Sequence, residues 1–96
     1  MATRIIEYGG ADRVDGMQVV PRSVAVQAPM TATGTSQQSA AFSSGTTFIC
    51  IQSDEIIHEA RGSNPTATIS NYKIRAAAEQ FFSVNPGDKV AIITGT

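Results

Sequence analysis

Thr46-Thr47-Phe48-Ile49-Cys50-Ile51-Gln52-Ser53 is the stretch on which the reading of this chain turns. Its β-branched residues lose χ1 freedom against a preceding helical turn and pack well on a pleated surface. Phe48 to Ile51 is apolar at every position, so both faces of such a strand carry apolar groups, and it is expected to be central in its sheet. Composition extends this local reading to the whole: the 96 residues include ten Ile, seven Val and ten Thr but no Leu. The chain is therefore read as all-β, a small β-sandwich or jelly-roll-like barrel with an extended N-terminal arm.

Downstream of the central stretch, Asp54-Glu55 reads as a turn and Ile56-Ile57-His58-Glu59-Ala60 as a returning strand, making a hairpin. Arg61-Gly62-Ser63-Asn64-Pro65-Thr66 reads as a loop and Tyr72-Lys73-Ile74-Arg75 as a further strand. Ala76-Ala77-Ala78-Glu79-Gln80 is too short for a stable helix and is taken as a strand bend or turn. Phe81-Phe82-Ser83-Val84, the turn Asn85-Pro86-Gly87-Asp88 and Lys89-Val90-Ala91-Ile92-Ile93-Thr94 form an expected closing hairpin. Proline there presets φ near −65° and glycine accepts a positive φ.

Upstream, residues 23–53 contain no charged side chain, and within them residues 28–45 are dominated by Ala, Thr, Ser, Gln and Gly. Three readings follow: a long flexible loop, an extended segment kept uncharged because another protein covers it, or a strand-and-turn continuation of the sheet. Ser23-Val24-Ala25-Val26-Gln27 alternates as a half-buried strand. Before it, Thr3-Arg4-Ile5-Ile6-Glu7-Tyr8 and Met17-Gln18-Val19-Val20 are short extended pieces separated by Gly9-Gly10 and ended by Pro21. Residues 1–21 are accordingly an arm or edge strands, and residues 22–96 a single β-sandwich domain.

Composition narrows the function classes. Seven basic residues against eight acidic ones give no basic footprint for nucleic acid. No run approaches the roughly 18 apolar residues of a membrane span, and Met1-Ala2-Thr3-Arg4 lacks the apolar stretch of a secretory leader, so a soluble, unprocessed chain is expected. Cys50 is the only cysteine, which leaves no internal disulfide and no paired-cysteine metal site. The one acid-rich cluster, Asp54 to Glu59 with His58, is read as a solvated hairpin surface, because His58 and Glu59 point to opposite faces of a strand. Cys50 with His58 is a poor nucleophile-base pair, because the thiol lies in the most apolar strand. Asp12, Asp15 and Asp88 lack the oxygen count of a calcium site, and Gly9-Gly10 is followed by no phosphate-binding residues. No catalytic, cofactor or metal residue is nominated, and the chain is not expected to be an enzyme.

Surfaces therefore carry the functional reading. A strand points adjacent residues to opposite faces, so one of Phe81 and Phe82 must meet a second packed layer or a neighbouring chain. Phe42, Phe48 and the other member of that pair are expected in the core. The residues expected to touch a partner are Ile5, Ile6, Tyr8, Met17, Val19 and Phe82, and a chain with so thin a core is expected to self-associate.

Phe42, Thr47-Phe48-Ile49-Cys50-Ile51, Gly62-Ser63-Asn64-Pro65-Thr66-Ala67, Ala76-Ala77-Ala78-Glu79-Gln80-Phe81-Phe82-Ser83-Val84 and Pro86-Gly87-Asp88-Lys89-Val90-Ala91-Ile92 together carry a resemblance. Over residues 40–94 the chain resembles small structural proteins of tailed-bacteriophage virions, of the head decoration or cement type. The resemblance implies a compact β domain on a capsid that adds contacts between coat subunits, without cofactor or catalysis. Its implied partners are the major capsid protein or other virion subunits, and its implied location is the virion, assembled in the bacterial host cytoplasm. Residues 1–39 lie outside the resemblance. The alternatives are a phage connector, tail or fibre-base component, and a carbohydrate-binding adhesion module built on Tyr8, Tyr72 and the Asn64 loop.

Overall fold

A computed structural model describes residues 2–14 and 18–95, with backbone alone for residues 10–14 and 18–22. Among the described residues there are eight strands and no helix: β1 (Thr3–Val14), β2 (Gln18–Val26), β3 (Gln37–Gln38), β4 (Phe48–Ser53), β5 (Ile57–Gly62), β6 (Tyr72–Ile74), β7 (Ala78–Ser83) and β8 (Lys89–Thr94). They form two four-stranded sheets, β2-β1-β4-β7 (sheet A) and β3-β8-β5-β6 (sheet B), and every pairing is antiparallel. The fold is a small β-sandwich.

The inner faces explain the composition. Ile5, Ile49 and Ile51 from sheet A meet Ile57, Ile74, Val90 and Ile92 from sheet B, and Phe42 closes the cluster. On a pleated face the branched side chains of Ile and Val fill the space between layers, the role leucine plays on helices. The stretch 48–53 is an interior strand, paired with β1 on one side and β7 on the other.

Two turns join different strands from those expected. The turn after Ser53 carries the chain from sheet A to sheet B, so β4 and β5 are not a hairpin; β4 pairs with β1 and β7, and β5 with β6 and β8. The turn at 85–88 likewise links β7 of sheet A to β8 of sheet B. The local turn chemistry holds, with Asp88 N donating to Asn85 O at 3.1 Å and Gly87 at φ 84°. Yet a tight turn does not specify whether it closes a hairpin or crosses between layers. Both strands turn isoleucines inward, Ile49 and Ile51 from β4 and Ile57 from β5; in one sheet these would lie side by side, and in opposite sheets they stack on each other. Ala76 and Ala77 form a turn, and Ala78 to Gln80 already belong to β7.

Residues 3–8, expected within an arm or edge strands, run instead as an interior strand between β2 and β4, with Ile5 1% exposed. The reason is the inward row Thr3, Ile5 and Glu7, all buried. Past Tyr8 the hairpin leaves the body: among the described residues, Ala11 to Val14 pair only with Gln18 to Pro21 of β2. At about 3.3 Å per residue, a projection of this length extends on the order of 15 Å. The molecule measures 45 × 26 × 22 Å. Gly9 sits where the hairpin departs; a Cβ there would lie 2.5 Å from Val24 Cγ2 and 2.8 Å from the Gly45 carbonyl oxygen.

The charge-free segment is not a loose loop. It is stitched to the sandwich edge by backbone bonds, as a continuation of the sheet. Met30 exchanges two bonds with Thr3, at 2.7 and 2.8 Å, Thr94 N donates to Thr33 O, and Gln37 and Gln38 pair with Ile92 and Ala91. Ser39 N then donates to Val90 O, Phe42 N to Asp88 O and Gly87 N to Phe42 O. Small side chains suit a segment whose stability comes from its backbone and from a few anchors, Phe42, 3% exposed, with Ala32 and Met30.

Candidate interaction surface

The two outer faces of the sandwich differ. That of sheet B is covered by the chain itself. Ala60 and Ala91 face each other there, and the connection 63–71 passes across them. Its bonds are Gln38 Nε2 to Asn64 Oδ1 and Pro65 O, at 2.9 and 2.8 Å, and Ala67 N to Ser36 Oγ, at 2.8 Å. His58, also on this face, lies 3.0 Å through Nδ1 from Asn71 O. Pro65, Ala67 and Ala91 are buried as a result.

The outer face of sheet A has no such cover among the described residues. Antiparallel register sets its side chains in rows across the strands. Val26, Ile6, Cys50 and Phe81 form one row. Ser23, Tyr8, Phe48 and Ser83 form the next, and Arg4, Gln52 and Glu79 a polar row on the other side. Val26 is 66% and Phe81 57% exposed. Tyr8 and Phe48 stack with centroids 5.0 Å apart and planes 13° apart, and Phe81 tilts against both at 6.2 and 6.3 Å. Each such pair adds about 0.5–1.5 kcal/mol beyond area burial. A shallow depression of about 380 Å³ lies beside the cluster, lined by Thr47, Phe48, Phe81, Phe82 and Ser83.

Cys50 lies beneath this cluster, 1% exposed, with Sγ 3.6 Å from Glu79 Oε2. Burial first, then the bond and charge of Glu79, push its thiol up to about 11. It is a neutral packing group at physiological pH.

Of the residues expected to touch a partner, Ile6 and Tyr8 lie on this face. Ile5 does not; it is in the core, one strand position away and therefore on the opposite side. Phe82 also turns inward, packs on the core and lies under the Arg61 guanidinium, 4.0 Å from its ring centroid, so the outward member of the pair is Phe81. Met17 lies outside the described residues, and Val19 is described only as a β2 position paired with Arg13. Phe48, expected in the core, stands on the outer face because the inward positions of β4 are Ile49, Ile51 and Ser53. Val26 and Phe48 are outward residues that the sequence reading did not place on this face, and Phe81 was named there only as one of a pair. Their signal was present in the apolar outward phase of 48–50, which a strand with one solvated face does not need.

The acid-rich cluster is not a solvated hairpin surface. Ile57, His58 and Glu59 are all buried: His58 under the 63–71 connection and Glu59, 2% exposed, between the sheets. Among the described residues no three His, Cys, Asp or Glu side chains gather where they could hold a metal ion. What the geometry offers is a partly apolar outer sheet face with a hairpin running past its end. No protein-family model matches the chain, no characterised protein matches it in sequence, and no solved structure matches it in fold.

Proposed function

We propose that this chain is a head decoration (cement) protein of a tailed-bacteriophage virion, which binds across coat-subunit joints and stabilises the shell. The observation that carries the docking part of this reading is the uncovered outer face of sheet A, where Val26 and Phe81 stay more than half exposed in a chain with few large apolar residues. Contiguous exposed apolar surface on a small soluble domain marks an interaction site. The hairpin beyond Tyr8 supports the same reading, because a two-stranded hairpin alone is marginal in water and gains stability against a neighbour. The virion assignment rests on the resemblance over residues 40–94, and self-association of the chain belongs to the same proposal.

A carbohydrate-binding module is less well supported. Tyr8 and Phe48 stack on each other, so each covers a ring face that a sugar would need. Quantitative mass spectrometry of purified source virions tests the proposal. A copy number scaling with the number of coat subunits is expected. A few copies per particle would move the chain to the connector or tail, and its absence from particles would refute the reading.

A further inference from the structure

Glu59 is placed against the usual rule for carboxylates. It occupies an inward position of β5, across from Ile92 of β8 and Tyr72 of β6, and is 2% exposed. The Arg61 Nε lies 3.2 Å from its Oε2 but is not aligned as a hydrogen bond, and that oxygen has no hydrogen-bond partner in the described structure. The same guanidinium sits 4.0 Å over the Phe82 ring of β7. Phe82 meets Tyr72 edge-on at 5.4 Å, and Tyr72 Oη lies 3.3 Å from Gln80 Oε1. These side chains join the β6 edge of sheet B to the β7 edge of sheet A. We propose that the Glu59–Arg61–Phe82–Tyr72 cluster is a pH-responsive seam between the sheets, closed while Glu59 is neutral and loosened when it ionises.

Ionisation leaves a buried carboxylate with one cation that Phe82 also shares and with an unsatisfied oxygen, an arrangement whose desolvation cost is high. Water offers relief, and its shortest route is at hand: Arg61 is exposed and Tyr72 is 51% exposed, so parting β6 from β7 hydrates Glu59. The opposite edge is tied by backbone bonds from Met30 to Thr3, from residues 33–39 to β8 and from Phe42 to Gly87 and Asp88. Other charged groups do not set the balance. From β6 the only titratable group facing Glu59 is Tyr72; inward positions of β8 carry Val90 and Ile92, those of β4 Ile49 and Ile51, and those of β7 Ala78, Gln80 and Phe82. Glu7 of β1 shares the Ile49–Phe82 row two strands from Phe82, and its own carboxylate is engaged by Thr46, Ser43 and Gln27.

Burial raises the Glu59 carboxyl above its ordinary value of 4.5, with Arg61 opposing. For a group raised on folding, stability is complete below the unfolded value and is lost as pH rises toward and through the folded one. A one-proton linkage gives an opening constant that grows by up to about tenfold per pH unit across that interval.

Hydrogen exchange followed by NMR from pH 4 upward, corrected for intrinsic base catalysis, reads this directly. Amides of β6 and β7 are expected to exchange progressively faster across the Glu59 titration, while those of β1 and β4 hold. The Glu59 side-chain carbon is expected to titrate above 4.5 in step, and Glu59→Gln is expected to abolish the local acceleration. Should that variant not fold, the wild-type titration and exchange decide alone. Glu59 titrating at or below 4.5, or exchange that is unchanged or uniform over both sheets, would overturn the seam. None of these readouts depends on a partner, so their failure leaves the decoration reading standing.

Discussion

The Thr46 hydroxyl donates to Glu7 Oε1 across 2.6 Å, joining residues 39 positions apart in the chain. The same oxygen accepts from Ser43 N at 2.7 Å, and Oε2 accepts from Gln27 Nε2 at 3.0 Å. Glu7 thereby fixes the 43–46 turn and the end of β2 onto β1. Burial alone would raise its carboxyl, but the bonds from Thr46, Ser43 and Gln27 outweigh it and hold the group below 4.5. A lowered value means that this stabilisation is present above the unfolded pKa and is lost as pH falls through the folded one. Thr46→Val is expected to cost about 1.5–3 kcal/mol, the range for a hydrogen bond to a charged group. Urea unfolding measures it, and in Glu7→Gln the acid limb of the stability profile is expected to flatten.

Gly9 is expected to tolerate no side chain. In Gly9→Ala the new methyl would press on Val24 and on the Gly45 backbone, and backbone does not yield cheaply. A loss of about 1–3 kcal/mol is expected, within the range for overpacking, and a denaturation midpoint checks it. Gly34, whose added Cβ meets nothing within 4 Å, serves as the control, with Gly34→Ala near neutral.

Ala91 provides the corresponding test of sheet B. It is 0% exposed on a face that the 63–71 connection covers. Ala91→Leu is expected to displace that connection and to cost about 1–3 kcal/mol. Limited proteolysis is expected to cut within 63–71 in the variant and to spare it in the wild type.

Phe81 and Phe82 are neighbours with opposite assignments. Phe81→Ser removes an outward ring with its two aromatic contacts and is expected to cost about 1–2 kcal/mol of stability while weakening association at least about tenfold. Phe82→Ser removes a ring packed on the core and under Arg61, and is expected to cost about 3 kcal/mol. Thermal unfolding and light scattering on both variants separate the two effects.

Much of the architecture was legible from local signals. The absence of leucine and the apolar run 48–51 announced an all-β body with 48–53 inside a sheet, and Pro86-Gly87 announced its turn. Layer assignment was not legible. Whether Asp54-Glu55 closes a hairpin or crosses between sheets depends on which apolar faces stack, a non-local matter that turn residues do not encode. The order in residues 27–42 was hidden for a related reason: its bonds run through the backbone, which side-chain composition does not report. The candidate surface was half legible. Ile6 and Tyr8 were named from apolar character, but the one-residue phase that sends Ile5 inward and Phe81 outward is set by pairing register, and a shift of one position exchanges the faces.

A cryo-EM reconstruction of intact source virions shows whether the outer face of sheet A is where this chain docks. Copies are expected on the head shell with Tyr8, Phe48 and Phe81 buried against a neighbouring subunit and the 63–71 connection turned to solvent. Copies seated through the 63–71 face, with the aromatic row of sheet A open to water, would contradict it.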